Sequence, residues 1–102
     1  MKHALNQKQL RQIGHQLKSV VMISDNGLTP NILDDIDLRL DKNELIKIKV
    51  AIEDRTAKKA LILDICNTLH AELIQQTGHT ALLLRYAETQ DPKLSNLLRP
   101  LD

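Results

Sequence analysis

The sequence is almost without aromatic residues: it has no Phe and no Trp, and Tyr86 is the only Tyr. Leu, Ile, Val and Ala must therefore fill the interior. A platform of Phe, Tyr or Trp on which bases stack, the usual device of single-strand readers, is excluded apart from Tyr86, which is expected to pack. Cysteine is equally scarce. The lone Cys66 cannot close an internal disulfide, and no charged-then-apolar leader precedes Asn6, which gives the expectation of a cytoplasmic protein. No apolar run approaches the roughly 20 residues that cross a bilayer, so no membrane partner is expected. His3, His15, His70 and His79 show no ligand spacing with one another or with Cys66, so neither metal nor cofactor is expected. No Ser or Cys has an identifiable base and orienting acid, and no Gly-Lys-Ser/Thr phosphate loop occurs, which argues against an enzyme.

What is present fits one domain, since 102 residues divided between two cores would leave each too small to bury a stabilising interior. The net charge of +1 is far from that of a strongly basic nucleic-acid binder. Its distribution is more informative. Residues 1–24 hold Lys2, Lys8, Arg11 and Lys18 with no acid, residues 25–46 hold six acids against Arg39 and Lys42, and residues 47–59 hold five bases against Glu53 and Asp54. Blocks of alternating sign can fold into one basic and one acidic surface, so phosphate contact is compatible with the small net charge.

Periodicity gives the elements. Asn6 can cap a first helix running through Lys18, with Leu10, Ile13 and Leu17 as its apolar stripe. The run from Val20 to Ile23 is too short for a helix and reads as a buried strand, bounded by the turn-forming Ser24-Asp25-Asn26-Gly27. Thr29 followed by Pro30 starts a second helix, with Ile32, Leu33, Ile36 and Leu40 facing inward and Asp34, Asp35, Asp37 and Asp41 outward. Leu45 to Val50 alternates as a half-buried strand, with Lys47 and Lys49 sharing one face. Asp54 can cap a third helix to about His70, on which Ala57, Leu61, Ile65 and Leu69 recur every four residues. Ala71 to Gln76 and Thr80 to Tyr86 read as a hairpin across Thr77-Gly78-His79. The order α-β-α-β-α-β-β predicts a single compact α/β (α+β) domain over 1–87, with a four-stranded mixed sheet and a polar, flexible tail over 88–102.

The loop Ser24-Asp25-Asn26-Gly27 is the most suggestive local feature, because a turn beside a helix N-terminus offers backbone N–H groups to a phosphate. Gly27 permits positive φ there. With this loop, Val20-Val21-Met22-Ile23, Asn26-Gly27-Leu28-Thr29, Asp35-Ile36, Glu44 through Val50, and Ile74 through Gly78-His79 to Tyr86, the chain resembles the CRM domain. That RNA-binding module occurs in chloroplast splicing factors and in stand-alone bacterial proteins of the YhbY type. The resemblance covers roughly Lys8 to Tyr86. It implies a fold similar to the C-terminal domain of a bacterial initiation factor, and RNA binding through a Gly-x-x-Gly-type loop that falls on Ser24 to Gly27. Ser24 stands where the first glycine is usual, and Asp25 stands where a small or basic residue is common. A carboxylate repels phosphate, so contact is expected to rest on Asn26, Gly27, Thr29 and the helix N-terminus.

Lys8, Arg11 and Lys18 on the first helix, Lys47 and Lys49 on the strand, and Arg55, Lys58 and Lys59 on the third helix are the candidate electrostatic contacts. With so few aromatics, recognition of RNA backbone and shape with weak sequence preference and strong salt dependence is expected. The resemblance implies ribosomal RNA of the large-subunit precursor, and ribosomal particles, as partners in assembly. A competing arrangement is a protein-interaction module that docks basic ribosomal proteins on the acidic second helix or the leucine-bearing tail.

Overall fold

In the computed structural model, residues 5–98 are described. Asn6 caps helix α1 (Gln7–Gln16) through a reciprocal box: its side chain accepts from Gln9 N–H at 2.8 Å, and the Gln9 side chain accepts from Asn6 N–H at 2.9 Å. The helix stops two residues before Lys18, because Leu17 is already extended. Strand β1 (Ser19–Ile23), helix α2 (Pro30–Asn43), strand β2 (Leu45–Val50), helix α3 (Arg55–Leu69), strand β3 (Glu72–Thr77) and strand β4 (Thr80–Leu84) follow in the expected order. Thr29 and Asp54 cap α2 and α3 as predicted, and His70 ends α3 in the left-handed conformation.

The sheet order is β1-β2-β4-β3, with β1 parallel to β2 and the other two pairings antiparallel. Alternation along β2 sends Ile46, Ile48 and Val50 to one face, where Ile36 and Leu40 of α2 and Ile62, Ile65 and Cys66 of α3 close over them. On the other face Leu10 and Ile13 of α1 cover Leu45, Ile74, Leu82 and Leu84. Both faces are thus used, but unequally: two helices on one and a single ten-residue helix on the other.

That inequality corrects the reading of β1 as fully buried. Val21 and Ile23 are buried under α2, whereas Val20 and Met22 are exposed, because α1 packs on β2 and β3 and leaves the edge strand uncovered. The buried face of α3 is also rotated from the predicted stripe. Lys58, Ile62, Ile65 and Cys66 face the sheet, Leu61 and Leu69 flank them, and Ala57 is exposed. Burial pushes the Cys66 thiol up, since the thiolate would lose its hydration. Native protein at pH 8 is therefore expected to resist iodoacetamide and to react only in denaturant; rapid native labelling would contradict this burial.

The segment expected to be a flexible tail is tied down over its described part. Glu44, fully buried at 0% exposure, accepts from Ala87 N–H at 2.7 Å, Gln90 Nε2 at 2.9 Å and Ser95 Oγ at 2.6 Å. Asn43 Nδ2 donates to Leu94 O, and Asn96 Nδ2 donates to Leu45 O, both at 2.7 Å. Residues 99–102 lie outside the described residues.

Candidate nucleic-acid interface

Parallel pairing of β1 with β2 fixes which loops meet. Ile23 sits opposite Val50, and Ala51 N–H donates to Ile23 O at 2.8 Å, so the turn after β1 and the segment leading to α3 leave the same end of the sheet. The β3–β4 hairpin arrives there too, because Val50 N–H donates to His79 O. This upper end therefore gathers Ser24 to Gly27, the N-terminal turn of α2, the N-terminal turn of α3, and Lys49, whose neighbours across the sheet are Met22 and Thr80.

The loop is a four-residue turn closed by Gly27 N–H donating to Ser24 O at 2.8 Å. Gly27 adopts φ +82°, and a Cβ there would meet nothing within 4 Å, so conformation and not space requires glycine. Asp25 and Asn26 occupy the exposed tip, and their N–H groups find no partner among the described residues. Thr29 Oγ1 accepts from Ile32 N–H at 3.2 Å, so its hydroxyl serves the cap while Pro30 takes the first helical position. Free N–H groups beside a capped helix start form a surface that favours an anion.

Side-chain charge is supplied from two directions. Lys49 is exposed on β2, and Arg55 and Lys59 project from α3 around an open hollow of about 360 Å³ floored by Ala60 and Leu63. Among the described residues, none of these three cations is in a salt bridge. Asp25 and Glu53 are exposed nearby, whereas Asp54 is occupied by the backbone N–H groups of Thr56 and Ala57. Asp25 should therefore weaken phosphate binding. Asp25→Asn is expected to raise RNA affinity about fivefold, the effect of removing ~1 kcal/mol of repulsion across roughly 4 Å of water. Unchanged or lower affinity in a fluorescence-anisotropy titration would show that no phosphate approaches the turn.

Not every predicted contact gathers here. Lys58 is buried, with Nζ 3.4 Å from His79 Nδ1, which itself lies 3.2 Å from Val50 O. One ring nitrogen thus faces a carbonyl that wants its proton and an ammonium that wants its lone pair; the arrangement packs α3 against the hairpin and withholds Lys58 from a ligand. Lys18 precedes β1 at the lower end, about 20 Å from the turn at ~3.3 Å per strand residue. Lys47 lies one alternation below Lys49 on the same face, beside His15 of α1, while Lys8 and Arg11 fall on the same flank of α1 as His15.

The acids are disposed differently. Arg85, reached from the lower end of β4, donates from Nη1 to Asp37 Oδ1 and Leu69 O and from Nη2 to Asp37 O and Asp41 Oδ1, at 2.8–2.9 Å. Asp35 pairs with Arg39 at 3.0 Å. Three of the four outward aspartates of α2 are therefore partnered within the chain, and they sit on the portion of α2 that runs away from the turn. Sequence reasoning found the acidic stripe but not Arg85, whose partners lie 16 to 48 residues away.

Comparison with known proteins places the chain in a family and matches its fold. The family model described as the CRS1 / YhbY (CRM) domain matches residues 5–85. The Pseudomonas aeruginosa protein named "Probable RNA-binding protein PA4753" is 37% identical over 92 residues, covering 90% of this chain and 88% of that one. A Haemophilus influenzae protein named "RNA-binding protein" is 42% identical over 83 residues, covering 80% of this chain and 84% of that one. The solution structure of Staphylococcus aureus SAV1595 superposes with a TM-score of 0.72 at 26% identity, covering 81% of this chain and 86% of that one.

Proposed function

The chain belongs to the CRS1 / YhbY (CRM) domain family, and we propose that it binds RNA at the upper end of its sheet and acts without catalysis as an assembly factor on precursors of the large ribosomal subunit. The observation that carries the RNA reading is that one end of the fold holds a turn whose Asp25 and Asn26 N–H groups have no partner among the described residues, with Lys49 on the α1 face of the sheet and Arg55 and Lys59 on α3 across it, none of the three in a salt bridge among those residues. Each element is a phosphate contact of ordinary strength, and together they suit a run of backbone phosphates. Relatives named for RNA binding over nearly their whole length support the same reading.

The competing protein-docking arrangement loses part of its surface. Asp35, Asp37 and Asp41 are engaged by Arg39 and Arg85, and Leu97 is folded onto the α1 side of the core, while Asp34, Leu94 and Leu98 stay exposed. The ribosomal assignment rests on the family resemblance. Cytoplasmic extract fractionated on a density gradient tests it. Co-migration with large-subunit precursors at low salt, lost at high salt, is expected; migration only with free protein at every salt concentration would overturn it.

A further inference from the structure

The half of the α1-side sheet face that α1 leaves open contains a small hollow unlike the flat cationic surface around the turn. It holds about 120 Å³, far below the roughly 300 Å³ at which sites for whole small molecules begin. Gly14 and Leu82 line its apolar part: a Cβ on Gly14 would come within 2.5 Å of Leu82 Cδ2, so the missing side chain lets α1 lie directly against β4. His15 and Lys47 stand at its rim, and Gln75 contributes an amide from β3. None of these three side chains has a partner among the described residues, and no carboxylate lines the hollow. Thr80 hydroxyl, also in the lining, donates to Thr77 O at 2.9 Å and keeps its lone pairs.

A small apolar patch at Gly14 and Leu82, an imidazole, an amide with both donor and acceptor, and an ammonium with no carboxylate in the lining suit the chemistry of one nucleotide. We propose that this hollow takes a single unpaired nucleobase of the RNA strand, stacked on His15 and read at its edge by Gln75, with the adjoining phosphate on Lys47. The inference rests on the RNA-binding reading and goes beyond it, because backbone contacts at the turn carry no sequence information whereas a base in this hollow does. The path between the two is short. Met22, Lys49, Thr80 and Thr77 form one cross-strand row from the strand that enters the turn to the far wall of the hollow, three strand spacings or about 15 Å. Histidine here takes the stacking role, since no Phe, Tyr or Trp lines the hollow.

The test is anisotropy with single-stranded ten-nucleotide homopolymers of A, C, G and U, on the wild type and on His15→Ala, Gln75→Ala and Lys49→Gln. All three altered side chains are outside the buried core, and thermal unfolding verifies each fold. The wild type is expected to prefer one homopolymer by about tenfold, the scale of one base edge read by an amide side chain. H15A and Q75A should abolish that preference, whereas K49Q should weaken all four alike. Equal wild-type affinity for the four, or a preference that survives both H15A and Q75A, would sink the base site while leaving the RNA reading intact. No salt-sensitive binding to any of them, or to folded ribosomal RNA, would sink both.

Discussion

Exchanging Lys47, Lys49, Arg55 and Lys59 together for glutamine should reduce RNA affinity by about three orders of magnitude near 0.1 M salt without unfolding the protein. Affinity for a polyanion varies with salt to the power of roughly −0.9 per neutralised phosphate, so each lost contact is worth nearly tenfold at that concentration. All four side chains lie outside the buried core, so no interior group is disturbed. Lys58 must stay. A substitution there would remove a side chain packed between α3 and His79, and a loss of binding would then report damage to the fold. Anisotropy on ribosomal RNA fragments measures the effect, with circular dichroism to verify the fold; a loss under fivefold would mean that RNA docks elsewhere.

The second large effect concerns stability. Glu44→Leu is expected to cost about 3 kcal/mol, because a fully buried carboxylate that accepts three hydrogen bonds is replaced by a side chain that accepts none. For a domain of this size the melting temperature should fall by roughly 15 °C. Glu44 also sits at φ 65° and ψ −50°, a sparsely populated conformation for a non-glycine residue, held by Arg85 N–H donating to Glu44 O and by Glu44 N–H donating to Leu40 O. The variant should release residues 87–98 before the core melts, since the Glu44 carboxylate joins that segment to the start of β2. Limited proteolysis should then cut there first. Unchanged melting and an uncut tail would show that Glu44 does not secure the segment.

These two residues, Lys58 and Glu44, also mark where the sequence could not be read. Helices, strands and caps were legible because they depend on neighbours within four residues: Asn6 with Gln9, Thr29 with Ile32, Asp54 with Thr56, and the alternation of Leu45 to Val50. The turn at Ser24 to Gly27 was legible for the same reason, as glycine at its fourth position is a local requirement. Burial of a charged residue has no local signature. Glu44 is satisfied by partners 43 to 51 residues away, and Lys58 meets His79 across 21. The exposed side of β1 was hidden as well, since Val20 and Met22 are as apolar as Val21 and Ile23; only the position of α1 over β2 and β3 decides which pair is covered. Likewise the hollow beside Gly14 exists because β-strand register brings Lys47 and Gln75 to either side of Leu82.

The polarity of the molecule follows from the same topology. Chain direction carries β1 and β2 to one end, where the turn and the basic start of α3 lie, and carries α2 to the other, where its aspartates hold Arg85. Sign blocks in the sequence thereby become two ends of a fold about 38 Å in its longest dimension. A net charge of +1 is consequently no obstacle to binding a polyanion at one end.

The central claim is that RNA is held chiefly by phosphate contacts at that end and on Lys47 one alternation below it, and the salt dependence of affinity tests it most directly. Titrating a ribosomal RNA fragment between about 50 and 300 mM KCl should give a slope of log affinity against log salt of about −3 to −4, falling toward zero in the variant that lacks Lys47, Lys49, Arg55 and Lys59. A wild-type slope near zero, or a steep slope that the variant leaves unchanged, would contradict the account.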